Sequence, residues 1–327
     1  MLEDITHTLD RNSVSLLFKI GDDLRQDMLV LKLFEMFEGF WQSHNLDLPL
    51  PKNRIISTWR DGGVVEIIPH SVTLADIQKK FGGGLFGTFA KSPITQYLRT
   101  HNPTRRAFDS SLDLFTRSLA ASCVSSCILG FGDRHNDNIM VTERGQLFHI
   151  DFGHFLGHTM LSPTGQRREL TRFVLTQAMV HTVRQQGEDA MSKLVELCVK
   201  AYLILRSKAT LILQYLNMMI PSKLPEMQDV CCVEYVREML HLEMDQAAAG
   251  KWFVQTIDSC FRDGAEFAKS FDDSMHILSQ NSRKSVTKRL TSILQRSLMK
   301  QLPRVPIVTP YGGILGPVIY ELCFVST

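Results

Sequence analysis

The sequence predicts an α+β fold in two lobes, a small lobe of strands and a helix followed by a large, mostly helical lobe. Two short apolar segments at residues 13–19 and 64–68 have the character of strands and flank a helical pattern at residues 23–41. From residue 112 onward, apolar residues recur at the spacing of helices. A chain of 327 residues is long enough for one large domain and a smaller one.

The small lobe is predicted from three consecutive elements. It starts with the apolar strand SVSLLFK at residues 13–19. The helix at residues 23–41 places apolar side chains at helical spacing, namely Met28, Leu31, Phe34, Phe37 and Trp41. Residues 64–68, VVEII, are almost continuously apolar, which is typical of a strand buried on both faces.

The large lobe is predicted to open with a helix from residue 112. Its apolar face contains Leu112, Phe115, Leu119, Val124 and Ile128. Residues 146–150, QLFHI, then predict a strand that ends at Asp151, so the polar block before it and Asp151 flank a predicted hairpin and lie side by side. After Phe173 the pattern is mostly helical, with apolar repeats at residues 194–205, 211–220 and 252–267.

Composition excludes several classes of protein. The chain is 44% hydrophobic and 21% charged, and its net charge of +2 gives no general attraction to nucleic acid. The opening residues MLEDITHTLDRN lack the apolar core of a secretory signal, and the uncharged run at residues 305–320 is interrupted by proline and too short to span a bilayer. The seven cysteines show no paired CxxC spacing. We therefore expect an intracellular, reduced protein with no zinc site, no spanning helix and no nucleic-acid partner.

A basic segment lies near the C-terminus. Residues 283–300 combine Lys and Arg with apolar residues, and no acidic residue occurs from 274 to 320. The pattern predicts a basic amphipathic helix, which favours contact with an anionic membrane. A solvated helix face is an equally good interpretation.

The block GDRHNDNIM at residues 132–140 is too rich in ionisable side chains for an ordinary turn. Asp133 precedes Asn138 by the spacing of a protein-kinase catalytic loop, in which the Asp serves the acceptor hydroxyl and the Asn binds magnesium with the Asp of Asp-Phe-Gly. Asp151 opens such an Asp-Phe-Gly, and Lys19 supplies a cation for phosphate. Asp-Phe-Gly alone is more often a turn, and Lys19 alone a solvated strand residue. Their combination predicts a metal and phosphate site.

Three segments resemble the catalytic domain of phosphoinositide 3-kinases. They are FKIGDDLRQDML at 18–29, ILGFGDRHNDNIMV at 128–141 and FHIDFGHFLGH at 148–158. The resemblance implies a two-lobed protein-kinase-like fold and favours 3-kinases over the related 4-kinases and large protein kinases. It implies these divisions: 1–69, a partial N-lobe and hinge; 70–280, a C-lobe with catalytic and activation loops; 281–327, a basic and proline-rich tail.

The resemblance also implies ATP and Mg²⁺ as ligands. Lys19 would contact the ATP phosphates, with Asp27 as its acidic partner. The adenine would meet backbone groups of the hinge residues Glu66 and Ile68 and an apolar floor formed by Met140 and Ile150.

Catalytic and metal roles follow from the same resemblance. Asp133 and His135 would act on the attacking hydroxyl and the transferring phosphate, and Asn138 and Asp151 would hold magnesium. His154 matches a histidine proposed as a base toward the lipid, and a structural hydrogen-bonding role for it stays an open alternative.

The expected reaction is transfer of the ATP γ-phosphate to the 3-hydroxyl of phosphatidylinositol or its 4-phosphate, by a cytoplasmic enzyme peripheral to a membrane. Residues 157–165, GHTMLSPTG, contain no Lys or Arg where basic residues would meet a bisphosphorylated headgroup. Arg167 and Arg168 are therefore the predicted headgroup contacts.

Departures from the family leave two alternatives open. The family's phosphate-binding loop and accessory domains precede the lysine strand, so the small lobe is expected to be N-terminally truncated, and a regulatory subunit would bind through the missing upstream domains. A catalytically silent scaffold and a protein kinase of the same superfamily both remain open. The GxGxxG of Gly82, Gly84 and Gly87 lies after the hinge, and we interpret it as a flexible connection and not as a nucleotide-binding loop.

Overall fold

The computed structural model describes residues 14–60, 62–82, 92–158, 171–260 and 324–326. The strands are β1 (Leu16–Ile20), β2 (Ile55–Trp59), β3 (Gly62–Glu66), β4 (Ser71–Thr73), β5 (Ile139–Thr142), β6 (Leu147–His149) and β7 (Phe324–Ser326). The helices are α1 (Arg25–Gln42), α2 (Leu74–Phe81), α3 (Pro93–His101), α4 (Arg105–Leu129), α5 (Gln177–Arg184), α6 (Ala190–Ser207), α7 (Ala209–Met219), α8 (Cys231–Leu240) and α9 (Gln246–Ser259).

The first sheet has the strand order β2-β3-β1-β7. Strands β1 and β3 are antiparallel, with Lys19 opposite Gly63. A Cβ on Gly63 would lie 2.2 Å from the carbonyl oxygen of Ile56, so only glycine allows β2 and β3 to approach this closely. Both predicted strands exist, but the second is shifted toward the N-terminus and ends at Glu66, which leaves Ile68 outside the sheet. Strand β2 was not predicted, because its five residues are too few to give a recognisable pattern.

The second sheet has the order β4-β5-β6 and contains the predicted hairpin. Strands β5 and β6 are antiparallel, with Met140 opposite Phe148. The added strand β4 pairs with β5 and places Thr73 opposite Met140. The chain therefore passes from β3 of the first sheet directly into the sheet that contains the predicted hairpin.

Helix α1 packs against the large helical part of the chain. Phe37 and Trp41 are completely buried, and the Trp41 Nε1 donates a hydrogen bond to the carbonyl oxygen of Ala201 in α6 at 3.1 Å. Buried residues of α1, α4, α6 and α9 form one continuous apolar cluster. Helix α1, which the sequence predicts as part of the small lobe, thus packs into the same apolar core as the helices of the large lobe.

Helix α4 starts earlier than predicted, at Arg105, because the hydroxyl of Thr104 caps it by accepting a hydrogen bond from the Ala107 amide. It is long and apolar enough to cross a membrane by length and composition, but 83% of its apolar stretch is buried inside the protein, as in a core helix. It ends at Gly130, whose φ of +59° is the left-handed conformation of a helix C-terminus.

The helical character predicted after Phe173 is confirmed by α5 to α9. The predicted segment at residues 252–267 corresponds to the end of α9, which runs to Ser259, and its part beyond Cys260 lies outside the described residues.

Candidate active site

The polar block after α4, the predicted catalytic loop, forms a tight loop. Asp133 has a φ of +53°, a left-handed conformation that is uncommon for aspartate and frequent at functional sites. The amide Nδ2 of Asn138, in a short 3-10 turn, donates to the carbonyl oxygen of Asp133 at 3.0 Å. This bond closes the loop and leaves the Oδ1 of Asn138 as the acceptor atom of its side chain.

Asp151 follows β6 directly and also has a left-handed φ, +60°. Arg134 joins it to the catalytic loop, because its guanidinium donates to the carbonyl oxygens of Gly132 at 2.6 Å, Ile150 at 2.8 Å and Asp151. Arg134 is only 5% exposed. No role was predicted for Arg134, although an arginine between two buried segments could have indicated a buried structural cation.

Aromatic rings fix the base of the two loops. The rings of Phe131 and Phe152 lie 4.8 Å apart, and Phe34 of α1 meets the Phe152 ring edge-on at 5.4 Å. The guanidinium of Arg134 lies 5.7 Å from the centre of the Phe152 ring. His149 is a packed histidine, with 6% exposure and its ring 6.4 Å from that of Phe131.

Lys19 on β1 is the cation of the site. Its Nζ lies 2.5 Å from Asp22 Oδ2 and 3.2 Å from Asp151 Oδ2. Burial lowers the pKa of Lys19, but the neighbouring carboxylates of Asp151 and Asp22 outweigh that effect, so its pKa is raised and the ammonium is charged.

Asp27 has a different partner from the one that the resemblance implies. Its Oδ1 accepts a hydrogen bond from the Phe152 amide at 3.1 Å, and the direct ion pairs of Lys19 are with Asp22 and Asp151. Burial raises the pKa of Asp27 to about 6, despite that hydrogen bond and the attraction of Lys19. Asp27 therefore anchors the Asp-Phe-Gly backbone and also attracts Lys19 electrostatically, while Asp22 and Asp151 form the direct ion pairs of Lys19.

The donor atoms suit a magnesium ion. Burial raises the pKa of Asp151, but Lys19 and Arg134 outweigh this effect and hold the pKa below its usual value, so the carboxylate is ionised. An ionised carboxylate and the amide oxygen of Asn138 are hard oxygen ligands of the kind that Mg²⁺ prefers. Within the described ranges no group of three or more His, Cys, Asp or Glu side chains is arranged for a metal. Mg²⁺ commonly takes few protein ligands and keeps waters and substrate phosphates.

The residues assigned to adenine lie at the end of β3 and just after it, on β5 and just after β6. The backbone amide of Glu66 already donates to the carbonyl oxygen of Arg54 at 2.8 Å, and the carbonyl oxygen of Ile68 accepts from the Ser71 hydroxyl at 2.6 Å. Met140 and Ile150 are half-buried, in contrast to the fully buried residues beside them on the hairpin. The Glu66 amide and the Ile68 carbonyl thus already have partners within the protein.

Both assigned histidines beside the loop have carboxylate neighbours. His135 is 8% exposed, and its Nε2 lies 3.6 Å from Asp133 Oδ2. The Nδ1 of His154 lies 2.5 Å from Oε1 of Glu226, a residue that the sequence analysis did not select.

Several sequence assignments cannot be located. Arg167 and Arg168, two of the three GxGxxG glycines, Gly84 and Gly87, and the basic segment 283–300 lie outside the described residues.

Comparison with known proteins gives the family of the chain. The profile described as phosphatidylinositol 3- and 4-kinase matches residues 13–229. The chain belongs to the phosphatidylinositol 3- and 4-kinase family. Enzymes of this family use ATP, with Mg²⁺ as the usual metal. The match confirms the resemblance seen in the sequence, and an α+β kinase-like fold agrees with it.

Curated relatives in the phosphatidylinositol 3- and 4-kinase family are much longer proteins. The chain is 37% identical over 269 residues to the phosphatidylinositol 4-phosphate 3-kinase C2 domain-containing subunit alpha of Pongo abelii, covering 82% of this chain and 16% of the relative. It is 38% identical over 244 residues to phosphatidylinositol 3-kinase 3 of Dictyostelium discoideum, covering 75% of this chain and 14% of the relative. It is 36% identical over 278 residues to the phosphatidylinositol 3-kinase C2 domain-containing subunit gamma of Homo sapiens, covering 84% and 18%. The chain thus spans less than a fifth of the length of these relatives.

Proposed function

We propose that this chain is a lipid kinase that transfers the γ-phosphate of ATP to the 3-hydroxyl of phosphatidylinositol or phosphatidylinositol 4-phosphate. The observation that carries the proposal is that Arg134 and Lys19 both contact Asp151, and that Arg134 also binds the loop at residues 132–140. Arg134 binds both the catalytic loop and the backbone of Asp151, while Lys19 contacts the Asp151 side chain at 3.2 Å. The relatives named as phosphatidylinositol 3-kinases support the same reaction.

In this proposal the loop residues orient the reactants. Asp133 hydrogen-bonds the attacking hydroxyl, His135 places a donor near the transferring phosphate, and Lys19 lies against the phosphates of ATP. Because Asp133 and Asp151 are already held in left-handed conformations, little reorganisation is needed when the substrates bind.

Magnesium would be held by Asp151 and Asn138, where it supplies neutralisation of the phosphate oxygens. The chain's own contribution is to keep the Asp151 carboxylate ionised through Lys19 and Arg134. It also keeps the amide of Asn138 fixed against the backbone of Asp133.

The lipid preference is proposed from the sequence after Asp-Phe-Gly. The segment GHTMLSPTG at residues 157–165 has no cation to meet a second headgroup phosphate, so that phosphate would lose water without gaining a partner. We assign the headgroup contacts to Arg167 and Arg168. The name of the Pongo abelii relative, a phosphatidylinositol 4-phosphate 3-kinase, supports the 4-phosphate as a substrate.

The surrounding organisation is part of the proposal. We place the boundary between a small lobe with β1–β3 and a large lobe after the hinge residues Glu66 and Ile68, between residues 69 and 70, and the enzyme at the cytoplasmic surface of a membrane. A regulatory subunit would act through parts of a longer protein.

A direct test offers the purified full chain radiolabelled ATP with vesicles of phosphatidylinositol, its 4-phosphate or its 4,5-bisphosphate, and in parallel a generic protein substrate. Asp151→Ala should abolish the magnesium-dependent labelling of the lipid. Asp109→Ala is the matched control, because Asp109 forms only an exposed ion pair on α4, 3.8 Å from Arg105, and it should leave the rate unchanged.

Each outcome separates one alternative. Labelling of the protein and not of the lipid would identify a protein kinase, and nucleotide binding without any labelling would identify a silent scaffold. A clear preference for the bisphosphate would refute the headgroup assignment. Product analysis shows whether the 3-hydroxyl is the acceptor.

A further inference from the structure

The turn at residues 224–228 presents a carboxylate to the segment that follows Asp-Phe-Gly. Leu224 and Met227 are buried and form a local β-bridge, which fixes Glu226 between them. Oε1 of Glu226 lies 2.5 Å from Nδ1 of His154, and Oε2 accepts a hydrogen bond from the Phe155 amide at 2.6 Å. With both oxygens engaged, the carboxylate fixes both the imidazole and the backbone next to it.

A second side chain holds the two segments together from α1. The Nε2 of Gln26 donates to the carbonyl oxygens of Phe152 and Gly153, each at 2.8 Å, and its Oε1 accepts from the Glu226 amide at 3.2 Å. Gln26 is 1% exposed. A buried amide with its donor and acceptor both satisfied holds one arrangement of its partners, so the position of Glu226 relative to His154 is preorganised.

The contact decides which nitrogen of His154 is basic. An ionised carboxylate only accepts hydrogen bonds, so Nδ1 must carry the proton that it donates to Glu226. In the neutral ring, Nε2 is then the nitrogen that takes up a proton. The His154 side chain is 38% exposed, whereas that of Glu226 is 14% exposed, so the imidazole is the member of the pair accessible to a substrate.

Other charged groups surround the pair less directly. Asp133 adjoins Gly132, whose amide donates to the carbonyl oxygen of His154 at 3.0 Å. Arg25, which forms an ion pair with Asp23, donates a hydrogen bond to the carbonyl oxygen of Ser222 at 3.2 Å, two positions before the turn. Glu226 contacts the His154 ring directly, at 2.5 Å.

We infer that Glu226 is the positioning residue of His154, and that it sets the tautomer in which Nε2 receives the proton of the attacking lipid hydroxyl. The hydroxyl O–H bond breaks as its oxygen bonds to phosphorus, the proton goes to Nε2, and the electron pair of the broken phosphorus–oxygen bond leaves with ADP. The catalytic part of this inference rests on the proposed function, whereas the effect of Glu226 on the tautomer does not.

Nitrogen NMR of the full chain labelled with ¹⁵N-histidine tests the tautomer without any turnover. The parent should show His154 protonated at Nδ1, and Glu226→Gln should shift the population toward protonation at Nε2. Glu243→Gln is the matched control, since Glu243 Oε1 lies 3.0 Å from His241 Nδ1 in a second, exposed pair. It should leave the His154 signals unchanged. An unchanged His154 tautomer in Glu226→Gln would overturn the inference.

Kinetics add a readout that a purely structural role would not change. Glu226→Gln should lower kcat for lipid phosphorylation on the order of 100-fold, the lower end of what a positioned base contributes, and should alter its pH profile while KM for ATP stays the same. Glu226→Asp, which keeps the carboxylate, should recover a large part of kcat. Parental kcat and pH profile in Glu226→Gln would refute the catalytic role.

The NMR and kinetic experiments distinguish a failure of the proposed function from a failure of the inference about Glu226. If the parent phosphorylates no lipid, the proposed function fails, and the NMR comparison still decides what Glu226 does. If Glu226→Gln does not fold, Glu226→Asp decides the question. Retention of the Nδ1-protonated ring in that variant supports the inference, and its loss in a folded protein contradicts it.

Discussion

Replacing Arg134 with methionine tests whether one buried cation holds the two halves of the site together. Methionine keeps much of the apolar length of the side chain but removes the guanidinium. The hydrogen bond to the Gly132 carbonyl is buried, and those to Ile150 and Asp151 are partly buried. A buried bond from a charged donor contributes about 1.5–3 kcal/mol and a partly exposed one about 1 kcal/mol, so we expect the free energy of unfolding to fall by about 3–5 kcal/mol.

The same substitution should weaken magnesium binding. Arg134 holds the backbone of Asp151 through a hydrogen bond to its carbonyl oxygen, so its removal loosens the position of the carboxylate that would bind the ion. Arg134→Lys should fall between the parent and Arg134→Met, because an ammonium keeps the charge but cannot bridge the carbonyl groups as a planar guanidinium does.

Urea denaturation and the magnesium dependence of ATP turnover measure the two effects. Arg117→Met is the matched control, since the carboxylates that Arg117 contacts, Asp47 and Asp113, are 75% and 61% exposed. It should cost less than about 1 kcal/mol. If Arg134→Met were no more destabilising than this control and had the parental magnesium requirement, the assigned role of Arg134 would be wrong.

Three further predictions concern single groups. Asp133→Asn should lower kcat by about 100-fold or more, because Asp133 orients the attacking hydroxyl, while the thermal unfolding temperature stays the same, and turnover close to the parent would remove Asp133 from the reaction. Burial raises the pKa of Asp27 to about 6, so the protonated carboxyl stabilises the folded protein at low pH, and this contribution is lost as pH rises through that value. In metal-free urea titrations, the free energy of unfolding of Asp27→Asn relative to the parent should therefore rise by about 3 kcal/mol from acidic to neutral pH. A pH-independent difference would contradict this. Gly157 has a φ of +80°, and a Cβ there would lie 2.2 Å from the Tyr235 ring, so Gly157→Ala should cost more than about 2 kcal/mol in the same titrations; a neutral effect would show that the ring and backbone adjust.

The chemistry of the site was predictable because its residues recur at short, specific spacings. Asp133 and Asn138 lie five positions apart, so one loop conformation suffices to bring them together, and the structure joins them by a 3.0 Å hydrogen bond. The hairpin that carries Asp151 was also local, since its two strands follow each other along the chain. Periodic apolar residues indicated the major helices for the same reason.

The sequence by itself thus determined the element types, the hairpin and the class of chemistry, because periodicity and loop spacing are properties of neighbouring residues. Only the tertiary structure decided which groups act on one another across the chain. Gln26 contacts the backbone of Phe152, 126 positions away, and that of Glu226, 200 positions away. No local pattern specifies such pairs, because they depend on how α1, the catalytic hairpin and the turn at residues 224–228 pack around a common core.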